Sequence, residues 1–163
     1  MFQVLVFVYE NYWRGDACPE PEQLGRKLSA VGFEQEEIRE ALIWLDDLRR
    51  ATMPVNPAAA EGGTHYDTVI AASPESLRVY SVAEQDHLGA ECLGFLSFLS
   101  SAGILSPQLL EIVIDRAMAA RGGPVAADEL KIIVLMVYWS SGLEPDSLVL
   151  DELCDDTHAR VAH

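Results

Sequence analysis

Cys154 and His158 stand four residues apart, on one face of any helix that carries them, and His163 follows close by. Thiolate and imidazole at that spacing are zinc-ligand chemistry, but a structural zinc needs about four converging ligands, normally from two paired motifs. Only half of such a site is present. His87 and Cys92 form the other near pair, and Cys92 falls on the apolar stripe of a helical segment, where a thiol behaves as a small hydrophobe. A nucleophilic Ser or Cys needs a base oriented by a third group, and neither a G-x-S-x-G elbow nor an equivalent local signature occurs. The four histidines, His65, His87, His158 and His163, fall in loops, a helix start and the tail, and read as solvated side chains. Paired carboxylates can do acid-base work, but among 26 acids no pair stands out. Phosphate-cradling loops of the G-x-x-x-x-G-K-S/T or G-x-G-x-x-G type are absent, and Gly62-Gly63 and Gly122-Gly123 read as loop and cap. No catalytic, metal-ligating or cofactor-binding residue is therefore expected.

The elements that must position any site belong to a chain of 163 residues, half of them hydrophobic and 23% charged, which suffices for a packed core. Eleven basic residues face 26 acidic ones, a net charge of −15. Nucleic acids and anionic lipid are bound by neutralising phosphates, so a surface of this sign repels them on average. Residues 1–50 hold six basic and ten acidic side chains, so any cationic patch belongs to the first third. Three scattered cysteines do not make a secreted disulfide framework. The apolar start Met1 to Trp13 lacks a basic leader and a cleavage site and is too short to span a bilayer. A soluble cytoplasmic protein is expected.

Periodicity is clearest from Glu34 to Arg50, where Ile38, Leu42 and Leu45 face one way as in an amphipathic helix. Pro21 to Val31, with Leu24, Leu28 and Val31 on one face, forms the helix before it. Gly32 suits a left-handed cap with Phe33 packing back. Two helices joined by a Gly turn make a helix-turn-helix-like unit. Ala51 to His65 is rich in Pro, Ala and Gly and reads as a linker, and 66–81 offers two short β-prone runs as a candidate hairpin. Ser81 and Glu84 have capping-box spacing, opening a helix with Leu88, Cys92, Phe95, Leu96 and Leu99 on its buried stripe and Gly103 at its end. Ser106-Pro107 opens the next helix, which runs to Gly122-Gly123-Pro124. A last helix runs from Asp128 to Ser141. Ile132 to Trp139 is apolar all round, which places it at the centre of the bundle. A helix-Gly-apolar pattern at Leu28 to Phe33 recurs at Leu99 to Ile104, which suggests two related units, although any two Gly-capped helix pairs share such a match.

Four ordered segments, GFEQEEIREALIWLDDL at 32–48, RVYSVAEQDHLGAECLGFLSFLSSAGIL at 78–105, VIDRAMA at 113–119 and ADELKIIVLMVYW at 127–139, resemble the bacterial Smg family. The resemblance implies a small, mostly helical bacterial protein whose gene often neighbours that of a DNA-processing protein, and it carries no catalytic residues to any position here. Val4 to Val8 is as β-prone as helical, and only the resemblance favours a helix there.

The sequence thus predicts a mainly α fold. Residues 1–50 form an N-terminal three-helix unit containing the helix-turn-helix-like pair. Residues 51–80 form a loop with the short β-hairpin, and 81–163 a C-terminal helical bundle with an acidic tail. On the helix from Glu34 to Arg50, Ile43 points away from the inward stripe and Trp44 lies on its flank, a candidate partner contact. The function expected is a non-enzymatic cytoplasmic protein-interaction adaptor or regulator whose partner has a basic surface. The alternative is a winged-helix-like nucleic-acid-associated regulator contacting its ligand through Arg26, Lys27, Arg49 and Arg50. The candidate recognition helix carries six acids against three arginines, the wrong sign for a groove.

Overall fold

The computed structural model describes residues 1–12, 19–53 and 78–143, which form six helices and, among them, no strand. These are α1 (Phe2–Tyr12), α2 (Pro21–Val31), α3 (Gln35–Thr52), α4 (Val82–Ser101), α5 (Pro107–Met118) and α6 (Ala127–Ser140). Among the described residues the chain is mainly α, as period and caps indicated. No described helix is long and apolar enough to cross a membrane.

The core is built round α6. Leu130 and every residue from Ile132 to Tyr138 are buried, because α1, α3, α4 and α5 all pack against this one helix. Burying an aliphatic side chain of this size contributes about 1.5–3 kcal/mol, so an all-round apolar sequence is stable only at such a centre. Val4, Leu5, Val8 and Tyr12 turn one face of α1 inward, which resolves the Val4 to Val8 ambiguity as helix. Helix α2 lies on α3 and buries Leu24 and Leu28. Val31 does not join them: it stands at the last turn of α2 and is exposed.

Helix ends follow local chemistry. Pro21 and Pro107 occupy first turns, and Ser106 Oγ accepts the Leu109 amide. Ser81 and Glu84 form the expected capping box. At the start of α6 the Glu129 carboxylate accepts the Ala126 amide at 3.0 Å, half of the same arrangement. Helix α5 stops at Met118, short of the expected Gly122-Gly123. The turn from Ala119 to Ala126 carries those two glycines in left-handed conformation instead. Helix α3 runs two residues further than expected. Thr52 Oγ1 there bonds the Leu48 carbonyl and, at 2.7 Å, Ser140 Oγ at the end of α6. Residues 54–65 of the linker and 66–77 of the hairpin lie outside the described residues, and Arg78 to Ser81 are in no strand.

Helix α4 is broken. Gly89 has φ 68° and ψ 170°, a conformation open essentially to glycine alone. The His87 carbonyl accepts the Val125 amide at 2.9 Å, outside the helix.

Candidate functional site

Helix α3 has an inner stripe of Ile38, Ala41, Trp44, Leu48 and Thr52, facing α1, α5 and α6. Leu42 and Leu45 are half-buried, and Leu42 lies 3.5 Å from the position a Cβ would take on Gly25 of α2. Two packing directions therefore widen the apolar stripe. Trp44 is 3% exposed, which corrects its expected place on an accessible flank. The reason is a hydrogen bond: its indole Nε1 donates to the Arg116 carbonyl at 3.0 Å, in the last turn of α5, where helix carbonyls lack intrahelical partners. Ile43 is 56% exposed, as expected.

Both residues nevertheless line one cavity. A cavity of about 340 Å³ between α3 and the α5–α6 turn is walled by Ile43, Trp44, Arg39, Glu40, Asp47 and Arg121. Its charges are paired. Arg39 binds Glu36 at 2.6 Å, Arg121 faces Glu40 at 3.7 Å, and Arg116 faces Asp47 at 3.7 Å. The amino group of Met1 meets Glu37 at 3.3 Å. Arg116 is nearly enclosed and holds Asp115 at 2.7 Å, while its buried Nη1 has no hydrogen-bond partner. The result is an apolar spot ringed by neutralised pairs.

Each of the four cations singled out for nucleic acid has a partner of its own. Arg26 borders a cavity with Arg39 near the start of α3, and Arg49 borders another near its end. Arg39 and Arg49, ten residues apart on α3, stand about 15 Å from one another. Arg49 pairs with Asp46 at 3.0 Å, and Arg50 with Asp46 and Asp47. Lys27 donates to the Tyr12 hydroxyl at 3.1 Å and sits 5.4 Å from its ring centre. Arg26 Nε reaches the Glu22 carbonyl at 3.4 Å.

A groove of about 310 Å³ between α2, α3 and the end of α6, with Leu24, Leu42, Leu45 and Trp139 in its wall, was not anticipated. Its signal in the sequence was the surplus width of the α3 stripe.

The thiol and imidazole candidates have structural employment. Cys92 donates to the Val125 carbonyl at 3.3 Å, and burial, with Glu91 and Glu129 adding to it, pushes its thiol up from the ordinary value. The His87 ring bonds the Ala117 carbonyl at 3.2 Å. Among the described residues no three His, Cys, Asp or Glu side chains are grouped to hold a metal. Cys18, Cys154, His65, His158 and His163 lie outside them. The Tyr138 hydroxyl donates to the Ile104 carbonyl, and desolvation raises its pKa.

A family profile described as "Protein of unknown function (DUF494)" matches residues 1–163. "Protein Smg homolog" of Leptothrix cholodnii is 58% identical over 163 residues, all of both chains. The protein of the same name from Methylibium petroleiphilum is 55% identical over the same span. That from Aromatoleum aromaticum is 46% identical over 162 residues, 99% of this chain and 97% of the relative. No solved structure matches. With the profile and these relatives spanning it from end to end, the chain belongs to the Smg family.

Proposed function

We propose that this chain is a non-enzymatic adaptor or regulator of the bacterial cytoplasm that binds a protein partner through the outer face of α3. The observation that carries the reading is Ile43: a large aliphatic side chain 56% exposed at the wall of a cavity shared with Trp44. Apolar spots of this kind, enclosed by a polar rim, supply most of the energy of protein interfaces. The pairs around Ile43 cancel, so they add register more than attraction. Attraction comes from the net charge of −15, which steers a partner with a basic surface. In this reading the helix-turn-helix-like pair α2–Gly32–α3 serves to brace α3.

A photo-reactive residue at position 43 in the native host is the test. A basic protein should be trapped there, in a yield that falls with ionic strength, while position 31, equally exposed, gives none. Equal trapping at both positions, or catalytic turnover by the purified chain, overturns the proposal. A winged-helix-like nucleic-acid regulator is the competing reading. The carboxylates beside Arg49 and Arg50 count against it, because cations already neutralised release fewer counterions from phosphate. A mobility shift at low salt that disappears in the double variant Arg49→Glu, Arg50→Glu would establish it instead.

A further inference from the structure

The break at Gly89 divides α4 into two pieces with different anchorage. Beyond it, Cys92, Leu96 and Leu99 bury a continuous stripe. Before it, Leu88 is the one fully buried side chain between Arg78 and Leu88, while Val79 and Val82 are 87% and 73% exposed. Nothing lies within 4 Å of where a Cβ on Gly89 would stand. Glycine is required there by its backbone angles and not by crowding.

Apart from Leu88 and Tyr80, which pack against the core, and the hydrogen bonds of His87, the first piece is held by charge. Arg78 Nη2 donates to Glu84 at 2.8 Å and to Glu111 of α5 at 2.9 Å, and Nε donates to Glu111 at 2.5 Å. The guanidinium also lies 4.7 Å from the Tyr80 ring centre. Glu84 is independently engaged in the capping box with Ser81. Loss of the Arg78–Glu111 bond therefore removes the charged link to α5, leaving the His87–Ala117 hydrogen bond, without removing the piece's own helix cap.

We propose that residues 78–88 form a latched arm, hinged at Gly89 and clamped to α5 by Arg78, which opens as a unit while the rest of α4 stays packed. Few buried apolar contacts mean a low opening free energy. A clamp of partly exposed ion pairs is weakened by salt. The hydrogen bonds of His87 to Ala117 and Val125 break with opening, uncovering the turn between α5 and α6.

Residue-resolved amide hydrogen exchange on the full chain tests this. In the wild type, amides of 82–88 are expected to exchange faster than those of 92–101. Glu111→Gln, which leaves the capping box intact, and Arg78→Gln should each speed the arm by about tenfold, the effect of losing a charge-assisted hydrogen bond, with 92–101 unchanged. Raising the salt to about 1 M should do the same to the unmodified chain. A common exchange rate on both sides of Gly89, or acceleration of both by the same factor, overturns the proposal, because α4 would then open only as one helix.

Discussion

Trp44 shows how one residue's role depends on a partner far along the chain. A helical wheel for α3 placed Ile43 opposite the core and Trp44 on the flank; the first held and the second did not. The indole can be buried only because its N–H finds the Arg116 carbonyl, 72 residues away, and no periodicity within α3 encodes that carbonyl. Trp44→Phe keeps most of the apolar volume and removes the donor, so a last-turn carbonyl of α5 is left bare. A loss of about 1–3 kcal/mol in unfolding free energy, seen as a lower denaturant midpoint with unchanged slope, is the expected result. At Ile43, whose side chain meets water, Ile43→Ser should change the unfolding free energy by less than about 0.5 kcal/mol. Sequence thus indicated which side of α3 faces water. It could not indicate which polar group makes burial of an indole tolerable.

At the scale of elements, legibility was highest where the determinants lie within a few residues of one another. Gly32 and Gly103 were read as helix stops, and both are left-handed, as is Gly142 after α6. Each is also followed by an apolar residue whose amide returns to the preceding helix: Phe33 to Leu28, Ile104 to Leu99, and Leu143 to Tyr138. The third case, at the end of α6, shows that the recurring pattern is a property of the cap and needs no duplication to explain it. Gly89 escaped notice because an isolated glycine within a helical pattern is usually tolerated, and its break depends on Val125 accepting a bond from Cys92 and giving one to His87. The capping box makes a pH prediction. The Arg78 guanidinium, and then the Ser81 amide, hold the Glu84 carboxyl at about 2 against an ordinary 4.5. The unfolded chain binds the proton more readily across that window. Glu84 therefore stabilises the fold above pH 4.5, and the contribution is lost as pH falls towards 2. Ser81→Ala should cost about 1 kcal/mol at neutral pH. Arg78→Gln, which removes the guanidinium, should flatten the acid limb of the stability curve, measured by denaturant titration at successive pH values.

For the molecule as a whole, one question is whether the N-terminal and C-terminal helices fold as one cooperative unit. Helix α6 joins α1 and α3 to α4 and α5, and Ile133, Val134, Met136 and Val137 on it are fully enclosed. Its all-round apolar sequence announced this position, since a helix without a polar face has no stable place at a surface. What it could not announce was which helices would surround it, because that depends on pairings distant in sequence. Ile133→Ala removes buried methylenes from the shared centre and should cost about 2–5 kcal/mol, depending on how far the cavity collapses. If α6 is the common core, signals from both halves should lose stability together. Hydrogen exchange of α3 and of α5 should then report the same loss of stability. Two separated transitions, with only α5 weakened, would mean that the N-terminal helices draw their stability from one another, and that a partner bound at Ile43 would be unable to influence the arm at Gly89 through the core.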